Sequence, residues 1–431
     1  MSQEPATPGE VPHPHRMRRI ALVVIAVLLV VASFLVLSVY LALEQGSAGG
    51  KAQEATSVDA ETLPATLPFR TVAGHVVVDA LLEDAAEPLG FMFDSGAPVL
   101  LAADVADQFA GDPVGGISTR AVDGTIEQSD VVVVDRLTLG DAAFLDVAGP
   151  VGWVDEGNPL ACVTTSGLLG ANLMKDAVWQ IDYQAERIGI HPSTAGLDHI
   201  DEAIALEFRA DTETSPSPVV ELPVGEETLT FLLDTGSDGA LTMHPADLES
   251  IGLSLPEDAP TLTILGAGAA GTFTTDLSYL DVGLSLGDSI TTYPVAVSET
   301  MQTGVGNIGN TFLREFVVTI DWPGRTVYLD PVAADRSIGG PAEPSAAGIA
   351  WDGERVVVGS LVRGGPSEQA GLELGEVVTA VGATDLQAPT FDDFCALLTA
   401  TPPTEADAGG TTLTTADGSD YAIEVVEGFY D

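Results

Sequence analysis

Basic residues are scarce in this chain of 431 residues, and their scarcity excludes one class of partner. Lys and Arg together number 15 against 64 Asp and Glu, which gives a formal net charge of −49. Lys occurs only as Lys51 and Lys175. Such a field repels phosphate backbones, so no nucleic acid is expected as a partner. The surplus carboxylates have two interpretations that stay open: ordinary solubility, or adaptation to high salt or an acidic exterior.

Cysteine and aromatic residues are scarce too. The two cysteines, Cys162 and Cys395, fall in different predicted domains, so neither a disulfide framework nor a cysteine-based zinc site follows from them. The six histidines show no metal-ligand spacing. The sequence therefore predicts no metal and no cofactor. With only 6% aromatic residues, the cores must be built from Val, Leu, Ile and Ala.

One uncharged apolar run, residues 20–43, lies near the N-terminus. Its length exceeds the about 20 residues that a helix needs to cross a ~30 Å hydrocarbon core. Arg16, Arg18 and Arg19 precede it, so the positive-inside rule predicts a cytoplasmic tail of residues 1–19 and an extracytoplasmic remainder. A cleaved signal peptide is the alternative, although its apolar region normally has only about 7–15 residues. We expect a single-pass protein of the cell membrane.

An internal repeat organises the chain after this run. Short Val, Leu and Thr runs separated by Gly, Asp and Pro predict a mostly-β fold. The segment FMFDSG at 91–96 recurs as FLLDTG at 231–236. Two further blocks keep nearly the same spacing: LLGANL at 168–173 recurs as NIGNTF at 307–312, and VWQIDY at 178–183 recurs as VVTIDW at 317–322. Residues 65–330 are therefore predicted to be two copies of one fold.

The duplicated Asp-Ser/Thr-Gly motif can serve one reaction if a pseudo-twofold axis brings both copies together. Carboxylates of Asp94 and Asp234 held about 3 Å apart cannot both ionise easily, so they would share one proton. The ionised member can activate a water while the protonated member donates to a carbonyl oxygen. The alternative is that each Asp caps its own turn. Two motifs in register favour the shared site.

These residues resemble the pepsin and retroviral-protease superfamily, and most closely its bacterial single-chain members with a duplicated retropepsin-like domain. The resemblance covers residues 65–330 and implies a two-lobed β-barrel aspartic peptidase with Asp94 and Asp234 as the catalytic pair. It also implies residues that support the two catalytic loops, with hydroxyls that could bond across the axis. They are Ser95, Gly96, Thr235, Gly236, Leu169, Gly170, Ile308 and Gly309.

The same resemblance implies a set of substrate contacts. Ser237 and Asp238 follow the second motif, and Gly266 and Gly268 lie in a Gly-rich flap candidate at 266–271. Residues 119–125 are the flap candidate of the first copy. The chain departs from the family at two positions. Pro98 stands where a polar residue is commoner, and Asn307 replaces the usual first apolar residue of the second supporting segment.

The C-terminal part of the chain resembles a PDZ domain through the segment PSEQAGLELGE at 366–376. A small α+β domain of this kind would bind the end of an extended peptide by strand addition. Ala347, Gly348 and Ile349 are the candidate loop for the peptide carboxylate. A structural cap without peptide affinity is the alternative.

The expected function is that of a membrane-anchored aspartic endopeptidase that performs limited proteolysis of extracytoplasmic proteins. Its partners would be protein or peptide substrates, and dimerisation is not required because both copies lie in one chain. A catalytically silent peptide-binding receptor or scaffold of the same fold is the alternative. The predicted organisation is a cytoplasmic tail (1–19), a transmembrane signal anchor (20–43), a linker (44–62), a first lobe (63–198), a second lobe (199–332), a linker (333–345) and a PDZ-like domain (346–431).

Overall fold

The computed structural model describes residues 48–430 except 121–125, 153–156, 212–215, 269–270, 288 and 401–410. The expected cytoplasmic tail and transmembrane helix, residues 1–43, lie outside the described residues. Within the described ranges, no helix has the length and apolar character needed to cross a membrane. The described chain is mostly β, as the sequence predicts.

The chain begins differently from the expected linker. A helix, α1 (residues 48–55), leads into strand β1 (Ser57–Val58), which pairs with a strand of the first lobe. Two hydrogen bonds of the Thr56 side chain attach this segment to the first lobe. Its buried hydroxyl donates to the carbonyl of Asp146 at 3.0 Å and accepts from the amide of Ala148 at 3.0 Å. Only the part of the predicted linker before residue 48 lies outside the described residues.

The first lobe is built from short strands rich in Val, Leu and Ile, as expected for residues that fit a pleated, buried surface. Its elements are β2 (Ala65–Pro68), β3 (Arg70–Val72), β4 (His75–Leu82), β5 (Leu89–Asp94), β6 (Leu100–Leu101), α2 (Ala103–Phe109), β7 (Gly115–Arg120), β8 (Ile126–Leu139), β9 (Ala142–Pro150), β10 (Gly167–Gly170), α3 (Ala171–Met174), β11 (Val178–Asp182) and β12 (Arg187–His191).

The second lobe repeats the order of elements that runs from β3 to β12. Its elements are β13 (Ile204–Ala210), β14 (Pro218–Val224), β15 (Glu227–Leu233), β16 (Leu241–Met243), α4 (Pro245–Ser250), β17 (Thr261–Gly268), β18 (Gly271–Leu286), β19 (Ser289–Val297), β20 (Gly306–Ile308), α5 (Asn310–Leu313), β21 (Phe316–Asp321) and β22 (Thr326–Pro331). In both lobes the strand before the Asp motif pairs in parallel with a later short strand, β5 with β10 and β15 with β20.

The lobes join through β11 and β21, which pair antiparallel with Gln180 opposite Thr319. These two residues are equivalent in the repeat, so the pseudo-twofold axis passes between them. The side-chain amide of Gln180 also donates to the hydroxyl of Thr319 at 2.9 Å. The shared core on either side is aliphatic with a few fully buried rings, among them Phe93, Trp179 and Phe231. Each such side chain contributes roughly 1.5–3 kcal/mol to stability by its burial.

The C-terminal unit, residues 346–430, is a small α+β fold. Thr390 and Asp393 form a capping box at the start of its longer helix. Ala347, Gly348 and Ile349 lie in a strand rather than in the expected carboxylate loop, because they pair with Leu361, Ser360 and Val358 of the next strand. The elements are β23 (Ala347–Trp351), β24 (Val356–Val362), α6 (Pro366–Gln369), β25 (Val378–Val381), β26 (Thr384–Asp385), α7 (Phe391–Thr399), β27 (Thr411–Thr415) and β28 (Asp420–Ile423).

A strand pairing and a disulfide are among the contacts that attach the C-terminal unit to the lobes. Strand β24 pairs antiparallel with β17 of the second lobe, with Leu361 opposite Thr263. A disulfide joins Cys162 of the first lobe to Cys395 of α7. No sequence pattern indicates this bond, since the two cysteines are 233 residues apart and only tertiary packing brings a short 3-10 turn, Pro159–Cys162, against α7.

Candidate active site

The two Asp-Ser/Thr-Gly motifs lie at the ends of matched, buried strands. Strand β5 ends at Asp94, which pairs with Gly170 of β10. Strand β15 ends at Leu233, one residue before Asp234, and pairs with Ile308 of β20. Both strands are anchored by aromatic or aliphatic residues without solvent exposure, so the backbone leading into each motif is fixed by packing.

The two loops approach each other so closely that only glycine fits at their third position. A Cβ atom on Gly96 would lie 2.6 Å from Cγ of Asp234, and a Cβ atom on Gly236 would lie 2.4 Å from Cγ of Asp94. Each loop therefore packs its glycine against the carboxylate of the other lobe. Any side chain at either glycine would displace one of the two carboxylates.

Reciprocal hydrogen bonds of two buried hydroxyls join the loops. The amide of Ser95 donates to Oγ1 of Thr235 at 2.9 Å, and that hydroxyl donates to the carbonyl of Phe93 at 3.0 Å. In the other direction, the amide of Thr235 donates to Oγ of Ser95 at 3.1 Å, and the Ser95 hydroxyl donates to the carbonyl of Leu233 at 2.7 Å. Neither residue is exposed to solvent. This network fixes the relative position of the two carboxylates.

The carboxylates of Asp94 and Asp234 form a coupled pair. Oδ1 of Asp94 accepts from the Gly96 amide at 2.8 Å, and Oδ1 of Asp234 accepts from the Gly236 amide at 2.9 Å. Burial raises the pKa of Asp94 well above its ordinary value, and the charge of Asp234 and a hydrogen bond to it raise it further. Such a pair retains one proton over a range in which separate carboxyls would lose both.

The two supporting segments cross directly behind these loops. A Cβ atom on Gly170 would lie 2.2 Å from the carbonyl oxygen of Ala97, and one on Gly309 would lie 2.4 Å from that of Gly239. Leu169 and Ile308 beside these glycines are buried. The departure at position 98 is accommodated here, because the backbone of Pro98 packs against Gly170.

Several polar residues that the sequence did not single out also meet at the second loop. The Asn310 side-chain amide donates to the carbonyl of Thr235 at 2.8 Å and to that of Gly74 at 3.2 Å. Oδ1 of Asn310 accepts from the Tyr183 hydroxyl at 2.9 Å. Nδ1 of His75 lies 2.9 Å from the Gly236 carbonyl oxygen. No periodicity or motif in the sequence indicates these contacts, and those of Asn310 with Gly74 and Tyr183 and of His75 with Gly236 bridge the two lobes.

Asn307, noted in the sequence as a departure from the family, touches the candidate pair directly. Its amide Nδ2 donates to Oδ2 of Asp234 at 2.6 Å. The oxygen of the same side chain, Oδ1, is buried without a hydrogen-bond partner in the described structure.

The expected substrate contacts lie around the same loops. Asp238 is exposed, and its Cβ packs closely on Gly74 of the first lobe. Ser237 serves the loop itself, because its hydroxyl accepts from Gly239 and its carbonyl accepts from Asn310. No three His, Cys, Asp or Glu side chains in the described ranges are grouped to hold a metal ion.

The two flap candidates lie on hairpins at equivalent places in the two lobes. The first is the β7–β8 hairpin, whose last described pair is Arg120 opposite Ile126; residues 121–125 of this candidate lie outside the described residues. The second is the β17–β18 hairpin, whose last pair is Gly268 opposite Gly271. The ring of Phe273 lies across Gly266 in that hairpin, so the Gly-rich segment is packed by its own partner strand.

A two-lobed β fold with a coupled carboxylate pair on symmetric loops defines a class of hydrolase, and one comparison with known proteins bears on it. Residues 220–312 match the family model described as aspartyl protease. The match spans the second Asp motif, the β17–β18 hairpin and the second supporting segment. It supports a place in an aspartyl protease family and a peptidase activity. No curated protein matches the chain.

Proposed function

We propose that this chain is a membrane-anchored aspartic endopeptidase of the single-chain, duplicated retropepsin-like type, with Asp94 and Asp234 as its catalytic pair. The observation that carries the proposal is the coupled carboxylate pair, held on two loops by reciprocal bonds between Ser95 and Thr235. A pair that merely capped its own turns would not require hydroxyls that bond across the two lobes.

The geometry supports direct hydrolysis by water. The ionised carboxylate takes a proton from a water as the water oxygen attacks the peptide carbonyl carbon, and the protonated carboxyl donates its proton to the carbonyl oxygen. The tetrahedral intermediate then collapses. The C–N bond breaks, and the departing nitrogen receives a proton from the carboxylate pair. One of the two hydroxyls on the former carbonyl carbon then gives its proton back to the pair. The pair ends with the single proton with which it began.

An extended peptide is the substrate shape that this site suits. It would lie between the lobes beneath the β7–β8 and β17–β18 hairpins, which would exclude water when closed. Asp238, exposed beside the second loop, would accept a hydrogen bond from a substrate backbone amide. We assign Ser237 to the positioning of the loop and Gly266 and Gly268 to the hairpin over the substrate.

Two features support a location outside the cytoplasm. Residues 20–43 have the length and composition of a membrane anchor, with arginines on the side expected to be cytoplasmic. The Cys162–Cys395 bond adds an independent argument, because disulfides persist mainly in oxidising compartments. Tethered in this way, the enzyme would perform limited proteolysis of nearby proteins.

The PDZ-like C-terminal unit would recruit a substrate or partner. A peptide added as a strand would use β23 and the face of α7 beside it, where Trp351 packs against Phe391 and Phe394 at ring-centroid distances of 5.7 and 5.9 Å. Because Cys395 of α7 is bonded to the first lobe, a ligand at this place would act on an element covalently tied to the catalytic unit.

Cleavage of a peptide library by the full chain in detergent, from pH 3 to 8 and at low and high salt, tests the proposal. Cleavage is expected in the parent and in the matched control Asp182→Asn, whose side chain accepts from the Ala185 amide in the turn between β11 and β12. It should be lost in Asp94→Asn and in Asp234→Asn. A folded parent that binds peptides but cleaves none under any condition would instead indicate the silent receptor.

A further inference from the structure

The two halves of the candidate pair are alike in backbone but differ in one side-chain contact. Each carboxylate accepts a hydrogen bond from the glycine amide of its own loop, at 2.8 Å for Asp94 and 2.9 Å for Asp234. These two bonds are equivalent, so they do not decide which carboxyl retains the shared proton. Burial has the largest effect on the pKa of Asp94 and raises it, although the backbone of Ala97 also lowers that pKa. A further difference between the lobes comes from a side chain.

The difference lies in the first residue of each supporting segment. In the second lobe it is Asn307, whose amide donates to Oδ2 of Asp234 at 2.6 Å. In the first lobe it is Leu168, which is buried and has no hydrogen-bonding group to offer Asp94. Strand register makes the two positions equivalent, since Leu168 pairs with Met92 on β5 and Asn307 pairs with Leu232 on β15.

The amide at position 307 carries a structural cost that a leucine would avoid. Its Oδ1 is buried without a partner in the described structure, and an unsatisfied buried acceptor destabilises the folded state. A side chain selected only for packing would not leave this atom unpaired. Among the described residues, the hydrogen bond to Asp234 is what offsets this cost.

We propose that Asn307 is a positioning residue that assigns the charge states of the pair, holding Asp234 as the carboxylate and leaving the shared proton on Asp94. An amide N–H can donate but cannot accept, so its bond to Oδ2 favours the ionised form of Asp234. This inference rests on the proposed function. It makes Asp234 the base that activates the water and Asp94 the acid that protonates the peptide carbonyl.

The burial of the two residues favours the same assignment. Asp94 is 6% exposed, whereas Asp234 is half-buried. Burial raises the pKa of Asp94 well above its ordinary value, followed by the charge of Asp234. The other titratable groups nearby are His75, which contacts the Gly236 carbonyl, and Asp238, which is exposed at the end of the loop. Neither is hydrogen-bonded to the two carboxylates in the described structure.

The test compares Asn307→Leu, which copies the first lobe, with Thr319→Val. The control removes a hydrogen bond at the other end of the lobe interface and touches neither carboxylate. In the pH profile of kcat/KM of the full chain, Asn307→Leu is expected to move the acidic limb upward by about one pH unit. The profile of Thr319→Val should stay in place. An acidic limb that stays or moves downward in Asn307→Leu would overturn the assignment.

A second measurement keeps this inference separable from the proposed function. Carboxyl carbon NMR of protein labelled at aspartate follows the pair without any substrate, and Asp94→Asn and Asp234→Asn identify the two signals. At a pH where the pair holds one proton, the carboxyl carbon shifts of Asp94 and Asp234 should differ more in the parent than in Asn307→Leu. If they do so in a chain that cleaves no peptide, the charge assignment stands and the peptidase proposal fails. If cleavage occurs and the difference is the same in both proteins, the reverse holds.

Discussion

Replacing Thr235 by alanine tests whether the reciprocal hydroxyl bonds hold the two lobes together. The Thr235 hydroxyl accepts from the Ser95 amide at 2.9 Å and donates to the Phe93 carbonyl at 3.0 Å, all in a region without solvent exposure. Alanine would leave the Ser95 amide unsatisfied, which costs about 1–3 kcal/mol, and would remove a second bond worth about 0.5–1.5 kcal/mol. The lost methyl group adds about 1 kcal/mol.

The expected loss for Thr235→Ala is therefore about 3–5 kcal/mol, a large share of the roughly 5–15 kcal/mol that stabilises a typical folded protein. Thr235→Ser keeps the hydroxyl and should lose only about 1 kcal/mol. Equilibrium unfolding in urea measures both, provided that the slope m is equal among the variants. A Thr235→Ala midpoint that coincides with that of Thr235→Ser would refute the reasoning, because it would show that the hydroxyl contributes nothing.

Three further predictions follow from the same site and its surroundings. Because burial raises the pKa of Asp94 above 3.8, stability is lost as pH rises from that value through the raised pKa. Asp94→Asn should therefore raise the thermal midpoint at pH 7 but not at pH 3, and an equal shift at both would contradict this. Gly236→Ala should reduce activity by about a hundredfold or more, since its methyl would lie 2.4 Å from Asp94, whereas Gly111→Ala, with nothing within 4 Å, should match the parent. Replacing Cys162 and Cys395 by serine should cost about 2–5 kcal/mol in urea unfolding, and midpoints that agree with the oxidised parent would contradict the pairing.

The mostly-β class was predictable because it depends on short-range pattern. Runs such as HVVVDALL at 75–82 have the residues that strands favour, and they form strands. The two supporting segments, matched in the sequence at 168 and 307, occupy equivalent strands. These features depend only on residue type and sequence spacing, so they can be predicted without knowledge of the tertiary structure.

Most features that sequence reasoning missed depend on long-range packing. The pairing of Cys162 with Cys395 requires α7 to lie against the first lobe, which no local pattern encodes. The contacts of His75 and Asn310 cross between lobes in the same way. The structure of residues 48–62 was missed because Gly and Ser suggested a linker, while the buried hydroxyl of Thr56 and the pairing of β1 supply the compensating contacts.

Because both lobes lie in one chain, matched positions around this site can carry different residues, which two identical copies could not. Some matched positions must stay alike: each loop glycine packs on the opposite carboxylate, and each loop hydroxyl accepts from the opposite amide, so a change in one lobe removes a contact from both. Other positions gain from being different, because two carboxyls that share one proton have unequal tasks. Leu168 and Asn307 differ at the place where a side chain reaches the carboxylate, and Ser95 and Thr235 agree at the place where reciprocity is required. Symmetry is thus retained in the contacts that build the site and broken in the contact that assigns its charge.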